Sequence, residues 1–378
     1  MNTYSSYKDS GIEWMGNIPE SWELTKNRFG FLKHKNGLNE SDDTNVLSLT
    51  TTGVKVKRDL NFGKSSESYI GHQLVEQGDI VFTPRDFDQT PILSDVSKYE
   101  GCISNLYIVD KTKENVLNRY VNYYWYGLKY SVDYFKNFSH GMRYSFNRFQ
   151  FDEIPLLIPS LREQQQISDY LDYKTSKIDI LIEKTQQKIE LLKEQRTSLI
   201  NTTVTKGLDP NVEMKDSGVE WIGDVPVGWD LVRLKYLFSL EGGKDPKRIQ
   251  DDDGEYPILG TGGEISRGSD FLYNKPTLLL GRKGTIDKPF LFDKPFWVSD
   301  VMYYTIQKSD ITPKYLYLLF TLTPFDYYRY GSTQPSMSRL DYESMFFPIP
   351  KKEERQQIVG YLDKETSKID KLVDIESK

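Results

Sequence analysis

Apolar residues recur at coiled-coil spacing along one long segment of the chain. From Arg162 to about Lys206 there is no proline or glycine, and Gly207 supplies a stop signal. The apolar positions in this segment are separated by 7, 4, 7, 3 and 7 residues: Leu171, Ile178, Ile182, Ile189, Leu192 and Leu199. This spacing predicts one long helix, about 65 Å in length, with an apolar seam.

A helix with such a seam needs a partner to bury it. The segment from Glu353 onward carries apolar residues at similar spacing, namely Ile358, Leu362, Ile369 and Leu372. We expect the two helices to pair antiparallel with pseudo-twofold symmetry. The second copy reaches Lys378, roughly 20 residues short of the first copy's length, so we expect a lopsided pair.

Other segments predict short strands and two further helices. Stretches rich in β-branched and aromatic residues, bounded by Gly, Pro or Asp, predict strands at 78–83, 105–109, 277–281 and 301–306. Apolar residues at helical spacing predict helices at 118–130 and 313–322. Proline-bounded apolar stretches, 154–159 and 346–350, then lead into the long helices. The pattern therefore predicts two compact α+β globules.

The chain contains one repeated entry segment. Residues 8–24 return as 215–231, which is 207 positions later, and ten of the 17 positions are identical. Trp14, Pro19 and Trp22 are among the repeated residues. Chance does not produce such a match, so the chain is duplicated.

A second repeat alternates with the first. Glu163, Gln165, Gln166 and Ile167 return 191 positions later, and so do most residues up to Asp179. The segments between the repeats, about 25–153 and 232–345, look unrelated in sequence, and we call them insert 1 and insert 2. We call the repeated segments the frame. A frame that is repeated around two different inserts indicates one task performed on two different targets. The alternative is an old duplication that drifted, but drift would be expected to blur frame and inserts alike.

Composition narrows the class of protein. The 378 residues suggest two or three domains, and an aromatic content of 13% predicts a folded chain. The single cysteine, Cys102, excludes a disulfide framework and favours a reducing cytoplasm. No secretion signal or apolar run of about 18 residues is seen, so we expect no membrane association. The net charge of −6 argues against nucleic acid, unless partners supply the positive field.

The ordered motifs closely resemble Type I restriction specificity subunits. A Gly-Ile/Val-Glu-Trp-x-Gly-x-x-Pro-x-x-Trp entry precedes each variable insert, and Glu-x-Gln-Gln-Ile-x-x-Tyr-Leu-Asp-x-x-Thr-Ser-Lys-Ile-Asp follows it. Both motifs occur twice, at domain spacing, and the likeness covers essentially the whole chain. The resemblance implies entry segments at 1–24 and 208–231, target recognition domains at 25–160 and 232–350, a central helix at 161–207 and a short terminal helix at 351–378.

The resemblance also implies a role and partners. Each insert would read half of a split site on double-stranded DNA, and the paired helices would set the spacing. Two methyltransferase subunits and restriction motor subunits would bind the chain. S-adenosylmethionine, ATP and magnesium would be bound by those partners, so the chain itself would carry no cofactor. We expect the chain to bind DNA weakly alone and tightly in the complex.

Catalytic motifs are missing from the sequence. The three histidines, His34, His72 and His140, show no metal-type spacing. There is no dinucleotide fingerprint, Walker loop or amino-methyltransferase Asn/Asp-Pro-Pro-Tyr/Phe motif. The 251–253 aspartates are interpreted as a solvated loop, and 281–285 lacks the ending of a phosphate loop. We therefore expect a non-catalytic chain without a metal.

Polar and basic loops of the inserts are the candidate DNA contacts. Arg, Lys, Asn and Gln suit base edges, and Lys, Arg, Ser and Thr suit phosphates. The loops at 140–148 and 331–339 occupy equivalent places in the frame and are the strongest candidates. The predicted DNA-binding residues are Lys55, Lys57, Arg58, Arg85, Arg143, Tyr144, Asn147, Arg148, Lys244, Lys247, Arg248, Arg282, Lys283, Ser332, Thr333, Gln334, Ser336 and Arg339.

Two other classes remain as alternatives. A methyltransferase or nuclease with fused recognition would need a cofactor or metal motif. A coiled-coil scaffold without a DNA role would suit the helices, but it would leave two unlike globules on one repeated frame unexplained.

Overall fold

The structure is a computed structural model. It describes residues 4–29, 32–34, 37–58, 67–85, 91–138, 145, 147–330 and 335–377. The chain divides into two compact units, Met1–Leu181 and Ile182–Lys378, so the boundary falls within the long central helix. Each unit contains one insert and one copy of the entry segment.

Eight α-helices are defined in the described residues. The two long ones are α3 and α8, and the rest belong to the inserts. Their bounds are α1 Asn118–Tyr130, α2 Arg148–Asp152, α3 Leu161–Lys206, α4 Leu234–Leu237, α5 Pro313–Phe320, α6 Phe325–Tyr328, α7 Arg339–Ser344 and α8 Lys352–Glu376. Short 3-10 helices lie at Asn27–Phe29, Tyr134–Phe138 and Pro246–Arg248.

The described strands are short, as the sequence predicts, but the strand predicted at 105–109 begins only at Ile108, because 104–107 form a turn. They are β1 Tyr7–Asp9, β2 Asn17–Pro19, β3 Glu23–Lys26, β4 Leu32–His34, β5 Leu47–Thr50, β6 Gly53–Val56, β7 Gln73–Val75, β8 Ile80–Phe82, β9 Ser94–Val96, β10 Gly101–Ile103, β11 Ile108–Thr112, β12 Pro155–Ile158, β13 Met214–Asp216, β14 Asp224–Pro226, β15 Asp230–Arg233, β16 Phe238–Gly242, β17 Tyr256–Gly260, β18 Gly263–Gly268, β19 Thr277–Gly281, β20 Phe290–Phe292, β21 Trp297–Val298, β22 Met302–Gln307 and β23 Phe346–Ile349.

The frame is the same in both units. An entry hairpin, β1–β2 or β13–β14, precedes a strand that pairs antiparallel with the strand leaving the insert. Lys26 lies opposite Pro155 in the β3–β12 pair, and Arg233 lies opposite Phe346 in the β15–β23 pair. The register is therefore identical at the two offsets of the sequence repeats.

The inserts share a topology that their sequences do not reveal. Insert 1 contains a four-stranded sheet in the order β4-β11-β8-β9, and insert 2 contains one in the order β16-β22-β19-β20. All pairings in both sheets are antiparallel. Strands that follow one another in the same way along the chain occupy the same places in the two sheets. The inserts are thus two versions of one α+β fold.

Aromatic side chains fill the core of each insert. Phe82, Trp125 and Phe151 pack edge to face in insert 1, with ring centroids 5.0 to 5.3 Å apart. In insert 2 Phe320 packs on Phe347 at 5.0 Å. All five side chains are fully buried, so these contacts fix where the helices lie on the sheets.

Two ion pairs within the second unit confirm that the long helices pair antiparallel. Lys188 forms an ion pair with Glu376 at 2.6 Å, and Arg196 forms one with Asp370 at 2.9 Å. Position increases along α3 as it decreases along α8, which defines an antiparallel pair. Towards the end of α3 and the start of α8, the buried side chains Ile200, Val204, Ile358 and Leu362 belong to one apolar cluster.

The seam of α3 is covered only in part. Ile189 is buried, whereas Ile178 is 55% exposed. The residue equivalent to Ile178 in the second repeat is Ile369, which is only 7% exposed. The reason is length: α8 has 25 residues against 46 in α3, and its last turn reaches Lys188. The predicted lopsided pair is therefore what the structure has.

Each long helix is held to its entry segment by a tryptophan. The Trp22 indole N–H donates to Glu163 at 3.4 Å, and the Trp229 indole N–H donates to Glu354 at 3.1 Å. Both pairs are equivalent in the two repeats. The conserved spacing of the sequence motifs thus corresponds to one repeated hydrogen bond between frame elements.

Candidate nucleic-acid interface

A tight turn leads into the central strand of each sheet. The Tyr107 N–H donates to the Ser104 carbonyl at 3.1 Å before β11, and the Met302 N–H donates to the Ser299 carbonyl at 3.1 Å before β22. The second residue of the turn is Asn105 in insert 1 and Asp300 in insert 2, and both side chains are exposed. We call 104–107 and 299–302 the reading turns.

A cation lies beside each reading turn. Arg85 follows β8 and forms a single antiparallel bridge with Ser145; Lys283 follows β19 and forms the same bridge with Ser336. The two serines are 191 positions apart, which is the offset of the second sequence repeat. Each cation is therefore placed by the same pair of segments in the two inserts.

A helix cap follows each of these serines. Asn147 accepts a hydrogen bond from the Gln150 N–H at 3.0 Å at the start of α2, and Ser338 accepts one from the Asp341 N–H at 3.3 Å at the start of α7. In both, the side-chain oxygen of the residue three positions later accepts a hydrogen bond from the cap's own N–H, forming a capping box. These boxes fix where each helix begins, with the cap two residues after the serine that bridges the cation.

Insert 1 forms a polar cleft between its reading turn, Arg85 and the start of α2. The cleft encloses about 670 Å³, and three residues that the sequence analysis selected from separate segments line it together. The polar lining residues are Gln73, Arg85, Asn105, Ser145, Asn147, Arg148 and Gln150. A concave surface with this mixture of donors and acceptors matches the groups that read base edges.

Insert 2 gathers its cations around the reading turn through backbone hydrogen bonds. The Lys244 N–H donates to the Val298 carbonyl at 2.9 Å, and the Arg282 N–H donates to the Val301 carbonyl at 2.8 Å. Lys244, Arg282 and Lys283 are all exposed. The approach needs a glycine, because a Cβ on Gly243 would lie 2.0 Å from the Ser299 carbonyl oxygen.

Arg148 and Arg339 occupy equivalent positions but have different partners. Arg148 bonds Asp110 and Asp152, each at 2.8 Å, and Asp110 is only 1% exposed. Arg339 bonds Glu343, one turn further along α7, at 2.7 Å, and this hydrogen bond raises the pKa of the Arg339 guanidinium. A DNA contact by either arginine would compete with these ion pairs, so both stay predictions.

The other predicted residues lie elsewhere or outside the described residues. Lys55 lies on β6, and Lys57 and Arg58 follow it; this hairpin is held to β9 by the Val54 N–H, which donates to Asp95 at 2.8 Å. Lys247 and Arg248 lie in the 3-10 helix after β16. Arg143, Tyr144, Ser332, Thr333 and Gln334 lie outside the residues that the structure describes, as does His140.

The comparison with protein families decides the class. The sequence profile of the Type I restriction modification DNA specificity domain matches residues 29–191 and again residues 226–376. The two matches together span most of the chain and contain both reading turns. The chain belongs to the Type I restriction–modification DNA specificity family.

Relatives resemble this chain in sequence, and solved structures resemble it in fold. A putative Type I restriction enzyme MjaX specificity subunit of Methanocaldococcus jannaschii is 24% identical over 96% of this chain and 90% of its own length. A chain from a study of complex assembly and conformational transition of the Type I restriction–modification system has a TM-score of 0.68 at 15% identity, covering 95% of this chain and 94% of that one. The HsdS subunit of Thermoanaerobacter tengcongensis has a TM-score of 0.54 at 14% identity, covering 97% and 93%.

Sequence reasoning missed two residues of this specificity chain's candidate interface. Asn105 and Asp300 follow serines, Ser104 and Ser299, that lie just before a predicted strand. These serines are 195 positions apart, whereas the frame repeat has an offset of 191, so the frame does not align them. The Ser-Asn and Ser-Asp pairs before the central strands are the signal that identifies these positions. In the described part of the chain, no helix has the length and apolarity needed to cross a membrane.

Proposed function

We propose that this specificity chain reads a two-part DNA sequence, one part with each insert, and that it performs no catalysis itself. One observation carries the proposal: the same reading turn, with a cation bridged to a serine beside it, occurs in both inserts. The cation and the second residue of the turn differ between the inserts. A repeated geometry with different side chains is what two readers of different half-sequences require. The reading turns supply base contacts, and the neighbouring cations hold phosphates.

The repeated frame suits two identical partners. The Glu-x-Gln-Gln-Ile motif begins both α3 and α8, and each copy is held to its entry segment by the same tryptophan contact. Two equivalent frame surfaces favour two methyltransferase subunits, with restriction motor subunits added to them. S-adenosylmethionine, ATP and magnesium are bound by those partners in this proposal, and the complex works in the cytoplasm.

The net charge of −6 fits a reader that depends on its partners. Phosphate contacts supply most of the affinity of a DNA-binding protein, and their strength falls steeply with salt. An acidic chain with a few cations at the reading turns contributes specificity, and the methyltransferase subunits contribute most of the positive field. We therefore expect weak binding of DNA by the isolated chain.

Co-expression with the host's methyltransferase subunit tests the proposal. Mass measurement of the purified complex should give two methyltransferase copies for each copy of this chain. Sequencing of methylated bases in a host should show a split motif that disappears when this gene is removed. A complex without the methyltransferase, or a methylation pattern that does not depend on this gene, would overturn the proposal.

A further inference from the structure

The second residues of the two reading turns differ in their hydrogen-bonding groups, and this difference matters for the recognition of a base. Asn105 carries an amide, with both donors and an acceptor, whereas Asp300 carries a carboxylate, which only accepts. Both turns close with the same hydrogen bond at 3.1 Å, and they lie directly before β11 and at the start of β22. The two side chains are thus presented by the same local backbone.

The carboxylate of Asp300 has basic residues near its turn but pairs with none of them in the described part of the chain. Lys244, Arg282 and Lys283 surround its turn, and the Arg282 guanidinium donates to the backbone carbonyl of Asp300 at 3.2 Å rather than to its side chain. Within the described residues the Asp300 carboxylate forms no ion pair or hydrogen bond. An exposed acceptor with this freedom is available to a ligand.

A carboxylate on a phosphate-binding surface needs a specific reason. It repels phosphates, so it weakens binding to every DNA sequence alike. It is favourable only where it accepts a hydrogen bond from a base amino group. The major groove offers such a donor on cytosine N4 and on adenine N6, but adenine also presents the N7 acceptor beside N6, which repels a carboxylate. The carboxylate also opposes guanine and the thymine O4 edge, because these present acceptors there.

Asn105 fits a different base. Its amide nitrogen donates to the Gly71 carbonyl at 3.0 Å, which orients the side chain at the edge of the polar cleft. The amide retains a second N–H and its carbonyl oxygen. This donor and acceptor pair matches N7 and N6 of adenine.

We propose that Asn105 and Asp300 are equivalent specificity-determining residues: Asp300 selects cytosine in one half-site, and Asn105 selects adenine in the other. The inference rests on the proposed function, because it assumes that each insert faces its own half-site. It adds the chemical identity of one base in each half. It also assigns the recognition of a specific base to the reading turn, which the basic loops alone do not supply.

Selection from a randomised duplex library by the methyltransferase complex tests the proposal. The wild-type complex should select a split motif with cytosine at one position of one half. Asp300→Asn should replace that cytosine by adenine, and Asp300→Ala should reduce the preference there by about tenfold or more. Asn105→Asp should change one position, in the other half only. Asp293→Asn is the matched control: an exposed aspartate following β20, whose loss should leave the motif unchanged.

The outcomes separate this inference from the proposed function. A wild-type complex that selects no motif overturns the proposed function. The assignment of Asp300 is overturned if Asp300→Asn leaves the wild-type motif intact. It is also overturned if Asp300→Asn abolishes the preference at every position in a complex that melts like wild type. If Asn105→Asp changed the base preference in the same half-site as Asp300→Asn, the equivalence of the two turns would be overturned.

Discussion

Insert 1 places an arginine where insert 2 places a lysine, and an asparagine cap where insert 2 places a serine cap. Even so, Arg85 and Lys283 bridge equivalent serines, and the turns before β11 and β22 close with the same hydrogen bond. The geometry of the interface is therefore set by backbone bridges and capping boxes. Side chains at these positions are free to differ, and this freedom allows one fold to read two sequences.

The comparison also separates supporting residues from reading residues. Gln164 is fully buried and accepts from the Leu117 N–H at 2.8 Å, and its equivalent, Arg355, donates to the Pro350 carbonyl at 2.8 Å and bonds Asp310 at 2.6 Å. Both residues join the start of a long helix to its insert. Because these buried supporting residues also differ between the inserts, a difference by itself does not mark a DNA contact, and we propose such contacts only for side chains exposed at the reading turns.

The largest expected difference between the inserts concerns Arg148 and Arg339. Arg148→Ala removes a partner of the buried Asp110 carboxylate, which should cost about 3 kcal/mol. Arg339→Ala removes one exposed pair within a single helix, which should cost less than about 1 kcal/mol. Hydrogen exchange should therefore show roughly a hundredfold loss of protection in β8 and β11 for the first variant only. Equal losses in β11 and β22 would contradict this reading of the two arginines.

A smaller and more even effect is expected from the paired cations. Arg85→Ala and Lys283→Ala should each weaken binding of the complex to its site by about tenfold, because each removes one contact at an equivalent place. If the contact is to phosphate, the slope of log affinity against log salt should fall by about 1. Fluorescence titrations at several salt concentrations measure both quantities. Lys294→Ala, an exposed lysine away from the reading turn, is the control.

The smallest expected effect concerns Glu163 in the frame. Burial opposes ionisation of this carboxyl, but hydrogen bonds from Ser160, Tyr4 and Trp22 outweigh it and hold its pKa below the ordinary value. A depressed pKa in the folded state stabilises the protein above the ordinary pKa, and the gain disappears as the pH falls through the lower folded value. Glu163→Gln should thus cost about 1 kcal/mol at pH 7 and less near pH 3.

Urea unfolding at the two pH values measures this dependence. The exposed Glu13→Gln variant controls for the loss of one negative charge in the same unit. A penalty for Glu163→Gln that stayed constant between pH 7 and pH 3 would show that the hydrogen bonds do not favour the ionised form.

The long helix and some elements of the inserts could be predicted from the sequence because their apolar residues follow regular patterns. The predicted 162–206 helix is observed as Leu161–Lys206, and the predicted 118–130 helix is observed with the same bounds. The predicted 277–281 strand is also observed as such. Periodicity and repeated motifs report burial and capping, which are local properties of the chain.

The interface could be predicted only in part, because it is assembled from distant segments. Arg85, Asn147 and Arg148 were selected from two separate loops, and the cleft that joins them depends on the β8–β11 pairing. Asp300 could be found only by matching the Ser-Asp pair at 299–300 with the Ser-Asn pair at 104–105, since an exposed aspartate in a turn is ordinary by itself. Nor could the ion pair between Arg148 and Asp110 be predicted, because Asp110 lies on β11, 38 positions before Arg148 on α2.

An exchange of inserts tests the central claim most directly, namely that two equivalent folds each read their own half-site. The frame defines the junctions: the Asn27 N–H donates to the Ile154 carbonyl at 3.1 Å, and the Leu234 N–H donates to the Met345 carbonyl at 2.9 Å. Residues 27–153 can thus be replaced by a second copy of 234–344, and the methylated motif of a host carrying this chain can be sequenced. We predict a split motif with two identical half-sequences, both equal to the half that insert 2 reads. An unchanged motif, or a new half-sequence unlike either original half, would contradict the claim.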